Sequence, residues 1–385
     1  MTKICFVTTI SMTLKAFVLD CAKYLHETGE FEVYFICDND EEFAKSLPEY
    51  IHYIPVPMER GVSLSAFKSI RQLKKIFKQY KFDIVQYSTP NASFYASRAS
   101  KSAKIPVRLY CQWGIAYVGM QGLKRKIFKW IEKGICKKST WIEPDSNSNL
   151  QFAHSEGLYT DKKSCVIGKG SASGVSLEKF DVSKKEEYRK QIRAQYFIPE
   201  DAFVYGFVGR VTRDKGINEL FSSFRRIYEE NEKAYLMLVG KEEKTELLNP
   251  EDYAWSKACD RVIYTGQTKV VEQYMSAFDC YLLPSYREGF GTGTIEAQAM
   301  AVPLIITRIP GPVDGVIEDV TAKIVPKADA EALYVAMKNM PNEDLKSMSE
   351  AGYRFVCENF EQKQLFAKIV EDRKRLLAIK GRKGK

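Results

Sequence analysis

The chain has 385 residues, of which 45% are hydrophobic and 28% are charged, a composition typical of an ordinary globular protein with ample core. This length corresponds to about two domains. No stretch approaches the roughly 18 to 20 apolar residues of a membrane-spanning helix, and the short apolar run in "MTKICFVTTISM" is interpreted as a first strand rather than as a signal peptide.

The cysteines indicate the cellular compartment, and the charges indicate that the two halves of the chain differ. Nine cysteines are scattered without any CxxC pair, which favours buried thiols in a reducing compartment over a disulfide framework or a metal site. We therefore expect a cytoplasmic protein. The formal net charge is +9, and residues 1–180 carry all of it, with 26 Lys and Arg against 17 Asp and Glu. This asymmetry predicts two domains with different partners.

Short strand-like runs alternate with amphipathic helical patterns along the whole chain, from "KICFVTTI" near the amino terminus to "AKIVP" near residue 325. Such alternation predicts βαβ units and parallel sheets. Two successive series predict an α/β fold with two Rossmann-like, doubly wound domains. We place these domains at residues 1–175 and 185–360, and we interpret the polar stretch from Val175, "VSLEKFDVSKKEEYRKQIRAQY", as the crossing between them.

An Asp-x-Asp pattern, Asp38-Asn39-Asp40, follows the second predicted strand in "CDNDEEF". This pattern binds a metal ion in some enzymes. Acidic residues at the end of a strand also commonly begin a turn or cap a helix. We favour the cap and predict no metal site.

A basic helix is predicted in the first half, over "GLKRKIFKWIEKGICKK". Its lysines Lys126, Lys129, Lys133 and Lys137 fall on one helical face, Ile127, Ile131 and Ile135 fall on another, and Trp130 lies at the border. This pattern is typical of a helix packed on the core with a cationic outer face, either solvated or resting on anionic lipid. A second basic run, "FKSIRQLKKIFKQYK", adds to the charge. Nucleic-acid binding is disfavoured, because no recognition motif or aromatic platform accompanies the lysines.

Two turns in the second half have the features of anion-binding sites. The run "VYGFVGR" ends at Arg210, and the turn "VTRDKG" that follows adds Arg213 and Lys215 ahead of a helix predicted to start near Asn218. The second turn is "SYREGFGTGTIEAQAM", a glycine-rich loop that follows the apolar strand "DCYLLP" and leads into a helix. Such a loop points free backbone N–H groups at an anion. Since carboxylates repel phosphate, the glutamates that flank this loop are expected to hold hydroxyl groups.

These residues resemble a known family. Residues 204–327 contain "GRVTRDKG" and the pair Glu288 and Glu296 in the spacing Glu-x7-Glu, and they look like the carboxyl-terminal half of a retaining GT-B glycosyltransferase of family 4. The segments "CQWGIAY" and "GKGSASGVSLEKF" are similar to members that build capsular, exopolysaccharide or O-antigen units. The resemblance implies two domains facing across a cleft, with the last helix, within about 361–385, crossing back to the first domain.

The resemblance also implies roles. Glu288 would be the catalytic-site residue that holds the hydroxyls of the donor sugar, and Glu296 would hold the ribose. The donor, expected to be a UDP-sugar, would place its diphosphate against Arg210, Lys215 and the loop Gly289, Phe290, Gly291 and Thr292. Fixed cations and a helix dipole can stabilise the leaving diphosphate, so no divalent metal or other cofactor is expected. Family members are described as front-face enzymes, in which the β-phosphate takes the acceptor's proton.

The acceptor side departs from the family pattern. Where many relatives have His-Gly, this chain has Gln112-Trp113-Gly114, and it has "TTISMTLK" where many have a glycine pair. Trp113, Lys126, Lys129, Trp130, Lys133 and Lys137 are predicted to face the acceptor or a membrane. A polyprenyl-diphosphate-linked saccharide at the inner face of the cell membrane would explain the basic half. Two alternatives stay open: a sugar-nucleotide 2-epimerase on the same fold, and a non-catalytic sugar-nucleotide-binding protein.

Overall fold

The computed structural model describes residues 1–58 and 65–381. The chain divides into two compact units, the first comprising Met1–Ser173 together with the residues from Lys363 onward, and the second comprising Gly174–Gln362. Within the described ranges, no helix combines the length and the apolar character required to cross a bilayer.

The first unit contains a parallel sheet of six strands, in the spatial order β3-β2-β1-β4-β5-β6. The strands are β1 (Thr2–Val7), β2 (Phe31–Cys37), β3 (Ile51–Pro55), β4 (Ile84–Tyr87), β5 (Val107–Gln112) and β6 (Trp141–Pro144). Successive side chains point to opposite faces of the sheet, so Ile4 and Phe6 lie in one apolar cluster while Cys5 and Val7 lie in another.

Helices cover both faces of this sheet. Those before residue 160 are α1 (Ser11–Phe17), α2 (Leu19–Glu27), α3 (Glu41–Ser46), α4 (Ser65–Tyr80), α5 (Pro90–Ser102), α6 (Gly122–Lys138) and α7 (Asn147–Ser155). Helices α4, α5 and α6 pack on the face that holds Cys5 and Val7, and α1 and α2 pack on the opposite face. Buried strands with helices on both faces are the expected arrangement for a parallel sheet.

The second unit repeats this architecture, with a parallel sheet in the order β12-β11-β10-β7-β8-β9. Its strands are β7 (Phe203–Val208), β8 (Ala234–Val239), β9 (Val262–Gly266), β10 (Cys280–Leu283), β11 (Leu304–Thr307) and β12 (Ala322–Val325). Its helices are α8 (Lys185–Gln195), α9 (Ile217–Glu230), α10 (Pro250–Ala258), α11 (Val271–Ser276), α12 (Gly293–Ala299), α13 (Ala330–Asn339) and α14 (Leu345–Asn359). The two predicted doubly wound sheets are thereby confirmed.

The segment from Val175 differs from its interpretation as a crossing. It includes α8, which packs on α11 within the second unit. Arg193 on this helix is buried and donates to Asp279 Oδ2 over 2.6 Å, and Arg189 donates to Asp279 Oδ1 over the same distance. A local pattern does not reveal these pairs, because Asp279 lies far along the chain, directly before β10.

The last helix, α15 (Gln362–Gly381), carries the chain back to the first unit, as the resemblance implied. Arg373 on this helix is 1% exposed and binds both carboxylate oxygens of Glu143, at 2.5 and 3.2 Å. It also donates to Gln86 Oε1 over 3.0 Å. A buried charge is stable only when it is paired, so this network fixes the helix against the first sheet.

Candidate active site

The two anion-binding turns meet at one edge of the second sheet. Strand β7 pairs directly with β10, and the turns follow the carboxyl ends of these neighbouring parallel strands. Ligands of doubly wound sheets bind at this edge. The turn Gly209–Gly216 and the loop Pro284–Thr292 therefore lie side by side, although residues 217–283 separate them in sequence.

Gly216 brings the two turns into direct contact. It has φ +73°, and a Cβ at this position would lie 2.0 Å from the carbonyl oxygen of Pro284. The backbone N–H of Tyr286 donates to the carbonyl of Asp214 over 3.0 Å and links the turns. Only glycine allows this backbone approach, because any side chain would collide with the end of β10.

Glu288 and Lys215 form the charged centre of the site. Lys215 Nζ lies 2.5 Å from Glu288 Oε1, and the two side chains are 18% and 13% exposed. The sequence placed both residues in the donor site but did not predict their contact. A charge-assisted hydrogen bond of this length fixes the direction of the carboxylate.

Arg210 lies farther out and has other partners. It contacts Glu243 at 3.2 Å and Asp214 at 3.8 Å, and its side chain is half exposed. It opens onto a pocket of about 500 Å³ whose lining includes three further cations, Arg213, Lys244 and Arg287. The predicted cations therefore sit at the same edge of the sheet but hold different carboxylates.

The glycine-rich loop presents backbone rather than side chains. Phe290 is 3% exposed, and its ring packs against that of Phe360 with centroids 5.3 Å apart, so its side chain belongs to the core. Gly291 has φ +79°, and a Cβ on Gly293 would lie 2.2 Å from the hydroxyl of Tyr281. Gly289, Gly291 and Thr292 thus reach the edge through their backbone, just ahead of α12.

Glu296 lies on α12, in surroundings that the sequence did not reveal. Burial raises the pKa of its carboxyl from 4.5 to about 7, with Lys179 acting to lower it and Glu272 to raise it. Lys179 Nζ lies 3.8 Å from Glu272 Oε2. Lys179 and Glu272 were missed because no local motif joins residues that far apart in the chain.

At the carboxyl edge of the first sheet, Trp113 follows β5 and packs against Phe17, with ring centroids 5.7 Å apart. Thr89 follows β4 with φ +66°, a strained conformation for a residue that is not glycine. Its Oγ1 lies 2.8 Å from Thr9 Oγ1. Strain of this kind is concentrated at functional sites, and nothing in the sequence signals it.

Helix α6 differs in two ways from its predicted amphipathic pattern. Lys129 does not stand free, because it contacts Glu156 at 2.9 Å, a carboxylate that Arg125 also contacts at 2.8 Å. Ile127 is 48% exposed instead of packing on the core, since it lies over a cavity between α5 and α6. Leu123 and Trp130 are each 72% exposed and continue this apolar stripe.

Lys126, Lys133 and Lys137 are exposed, as predicted for the outer face of α6. The stripe Leu123, Ile127 and Trp130 lies among them. The outer surface of the helix is therefore both cationic and apolar, and not cationic alone.

The Asp-x-Asp pattern forms a helix cap. Asp40 Oδ1 accepts from the backbone N–H of Phe43 over 2.9 Å at the start of α3, and its Oδ2 accepts from the hydroxyl of Ser11 over 2.5 Å. In the part of the chain that the structure describes, no three His, Cys, Asp or Glu side chains gather in a way that could hold a metal ion.

Comparisons with known proteins match both halves of the chain. The family model for glycosyl transferases group 1 matches residues 188–355, and that for glycosyl transferase 4-like proteins matches residues 3–146. The capsular polysaccharide biosynthesis glycosyltransferase CapM of Staphylococcus aureus is 29% identical over 81% of each chain. The UDP-Gal:alpha-D-GlcNAc-diphosphoundecaprenol alpha-1,3-galactosyltransferase of Escherichia coli is 26% identical over 73% of each chain.

Solved structures share the fold. A glycosyltransferase from Rickettsia africae superposes with a TM-score of 0.80 at 21% identity, covering 98% of both chains. Anabaena Alr3699/HepE in complex with UDP-glucose gives 0.74 at 16% identity, covering 97% of this chain and 100% of that one. The two family models together match most of both units, and the chain belongs to the group 1, 4-like glycosyltransferases of GT-B fold.

Proposed function

We propose that this glycosyltransferase moves a hexosyl or N-acetylhexosaminyl residue from a UDP-sugar to a lipid-linked saccharide, with retention of the anomeric configuration. The observation that carries the proposal is the Lys215–Glu288 pair, which lies between a cationic turn and a glycine-rich loop at one edge of the second sheet. Support for the donor and acceptor comes from the E. coli relative, whose name specifies a UDP-sugar and a diphosphoundecaprenol acceptor, and from the UDP-glucose complex of the Anabaena protein.

In the proposed complex, the second unit holds the donor. Glu296 accepts hydrogen bonds from the ribose hydroxyls, and Glu288 accepts from hydroxyls of the sugar. Lys215 and Arg210 contact the diphosphate, and the backbone N–H groups of the loop Gly289–Thr292 lie along it. Both glutamates thereby avoid the phosphates and serve hydroxyl groups, which are the donors that a carboxylate can use.

The Lys215–Glu288 contact prepares the site for the donor. Without a ligand, the two charges neutralise each other in a largely buried position. When the diphosphate arrives, Lys215 gains a second anion, and Glu288 is left directed at the sugar. Because the cation is already in place, the site needs little rearrangement as charge develops on the leaving group.

The proposed reaction is the front-face transfer that the resemblance implies. The bond between the anomeric carbon and the β-phosphate oxygen breaks, and the electron pair stays on UDP. The acceptor hydroxyl attacks from the same face and passes its proton to the β-phosphate oxygen, so the configuration is retained. Lys215 and Arg210 stabilise the growing negative charge, and this step requires no divalent metal. Glu288 positions the sugar and forms no covalent bond with it.

We propose that the first unit serves the acceptor and the membrane. Thr9, Thr89 and Trp113 at its carboxyl edge contact the acceptor saccharide. The outer face of α6 combines three exposed lysines with an exposed apolar stripe, which suits reversible attachment to an anionic bilayer surface. The enzyme would then work at the inner face of the cell membrane and reach both a soluble donor and a lipid-linked acceptor.

A turnover and thermal-shift screen against UDP-, GDP- and ADP-sugars, with and without a lipid-linked acceptor, tests the proposal. We expect UDP to raise the melting temperature equally in EDTA and in Mg²⁺, and transfer to occur only with the acceptor present. Release of an altered UDP-sugar without an acceptor would identify an epimerase instead. UDP binding without any turnover across the panel would identify a non-catalytic protein.

A further inference from the structure

A cavity of about 310 Å³ lies between α5 and α6 of the first unit, and none of the proposed donor or acceptor contacts lines it. Most of its lining is apolar. The lining residues are Pro90, Asn91, Phe94, Tyr95, Ala116, Ile127, Phe128, Ile131, Glu132 and Ile135. The carboxyl of Glu132 is the one charged group among them, and its Oε1 accepts from Tyr110 over 2.8 Å and from Gln112 over 2.5 Å. A space with this lining suits a hydrocarbon chain.

Phe94, which lines the cavity, also contacts the guanidinium of Arg98. The guanidinium carbon of Arg98 lies 3.4 Å from the centroid of the Phe94 ring, and Arg98 Nη1 donates to the Phe94 carbonyl over 2.9 Å. On the neighbouring helix, a Cβ on Gly134 would lie 3.7 Å from Arg98 Nη2 and 4.0 Å from Lys138 Nζ. The absence of a side chain at Gly134 thus leaves the two cations close together on one surface.

These two cations belong to a cluster that no acidic side chain balances. Within residues 1–58 and 65–381, none of the six side chains of this cluster forms an ion pair. The six are Arg98, Lys101, Arg108, Lys137, Lys138 and Lys163. Their recorded hydrogen bonds go to carbonyls, as when Arg108 donates to Lys138 O over 2.8 Å and Lys163 to Cys136 O over 2.6 Å. A carbonyl satisfies a donor but does not neutralise a charge.

Burial and mutual repulsion both act on this cluster. Burial lowers the pKa of the Arg98 guanidinium. Burial also lowers the pKa of the Lys138 ammonium, with further contributions from Arg98, Lys101 and Lys137. Arg98 and Lys138 are partly buried, and partly buried cations that repel one another are normally stabilised by an anion. The cluster therefore has the properties of the headgroup end of an amphiphile site.

We propose that one anionic phospholipid binds here, with an acyl chain in the cavity and its phosphate between Arg98 and Lys138. The bilayer is the source that the surroundings favour. Ile127 both lines the cavity and belongs to the exposed stripe with Leu123 and Trp130, so a chain can enter from the surface that would rest on a membrane. This site is separate from the proposed transfer reaction, and either can fail without the other.

A discrete site behaves differently from diffuse attraction between lysines and a charged surface. Diffuse attraction is screened by salt, with a Debye length of about 3 Å at 1 M. Salt screens the attraction between a phosphate and two partly buried cations much less, and it does not screen the burial of a lipid chain in a cavity. The site should therefore saturate at one lipid per protein and should persist in high salt.

Dodecyl phosphate below its micelle concentration is the probe, measured by calorimetry on the full chain in 0.5 M NaCl. We expect saturable binding at one site, with dodecyl maltoside and inorganic phosphate each binding at least tenfold more weakly. Arg98→Gln and Lys138→Gln should each weaken dodecyl phosphate about tenfold, and Ala116→Phe should do so by filling the cavity. Lys45→Gln on α3, on the opposite face of the sheet, is the matched control and should change nothing.

The experiment still tests the proposal if one variant is unstable, because Arg98→Gln, Lys138→Gln and Ala116→Phe change the same site from three different parts of the chain. Equal binding of dodecyl maltoside, or unchanged affinity in both Arg98→Gln and Lys138→Gln, overturns the proposal. A polyprenyl phosphate that binds where dodecyl phosphate and phosphatidylglycerol vesicles do not would also overturn it and would assign the cavity to the acceptor lipid. Loss of catalysis has no bearing on any of these results.

Discussion

Lys215 Nζ lies 2.5 Å from Glu288 Oε1, and this contact joins two turns that are distant in sequence. The contact exists because β7 and β10 are neighbours and because Gly216 lets the first turn touch the end of β10. The proposed donor site depends on it, since Lys215 serves the diphosphate and Glu288 the sugar.

Glu288→Ala should lower kcat by about a hundredfold or more while leaving UDP affinity unchanged or slightly higher. The carboxylate is proposed to act on the sugar, which UDP lacks, and its removal frees Lys215 for the phosphates. Turnover assays and UDP titration measure the two effects. Glu350→Ala, an exposed glutamate on α14, is the control. A loss of UDP affinity as large as that in Glu296→Ala would contradict the separate roles of the two glutamates.

UDP affinity should depend on pH through Glu296, whose pKa is raised to about 7. The ionised carboxylate is the better acceptor for ribose hydroxyls, so affinity should fall as pH drops through 7. If only the ionised form binds, the fall from pH 8 to pH 6 is about tenfold. The nucleotide phosphate itself titrates near pH 6, and Glu296→Gln isolates that contribution. If UDP affinity depended on pH identically in the wild type and in Glu296→Gln, the assignment of Glu296 to the ribose would be refuted.

The same pKa has a consequence for stability in the absence of nucleotide. The pKa of this carboxyl is higher in the folded state than in the unfolded chain. The protonated carboxyl therefore contributes its full stabilisation only when the pH is below the pKa of the unfolded chain. This stabilisation is lost as pH rises through about 7. Relative to Glu296→Gln, the unliganded wild type should therefore lose stability between pH 5 and pH 8. Chemical unfolding at several pH values measures this difference.

Gly216→Ala should disrupt the site, and Gly266→Ala provides a matched control. Both glycines have φ +73°, but a Cβ at Gly216 would meet the Pro284 carbonyl, whereas nothing lies within 4 Å at Gly266. Both variants carry the backbone cost of about 1 to 2 kcal/mol for a left-handed residue. Only Gly216→Ala should also separate Lys215 from Glu288 and abolish the UDP-induced thermal shift. Equal UDP shifts in the two variants would contradict this account.

The protein should float with phosphatidylglycerol liposomes at low salt through the outer face of α6. Each basic residue near an anionic surface contributes about 1 kcal/mol, so Lys126, Lys133 and Lys137 together contribute about 3 kcal/mol. Lys129 is left out because Glu156 already neutralises it. Changing the three lysines to glutamine should weaken flotation at low salt and leave UDP binding intact. Absence of flotation of the wild type at low salt would remove the membrane from the proposal.

Much of the fold follows from local patterns in the sequence. Alternating strand and helix periodicities are set by neighbouring residues, so the two parallel sheets and the start of α9 could be predicted. The glutamates and cations of the proposed donor site could be named from the sequence, because each lies in or directly after a turn with its own motif. Their mutual arrangement could not, since it depends on the order of strands in the sheet and on one close backbone approach.

The predictions failed where a partner comes from elsewhere in the chain. Lys129 was assigned to the cationic outer face because a helical wheel does not show Glu156, which follows the end of α7. Ile127 was assigned to the core because periodicity does not reveal a cavity. The surroundings of Glu296, and the strain at Thr89, likewise arise from long-range packing, which leaves no local pattern.

The anomeric configuration of the product tests the central claim most directly. An α-linked UDP-sugar and a lipid-linked acceptor analogue would be incubated with the enzyme in EDTA, and the new linkage assigned from its proton NMR coupling. The account predicts an α-linked product from the wild type, formed at least a hundredfold more slowly by Glu288→Ala. A β-linked product, or product formation only after a divalent metal is added, would contradict it.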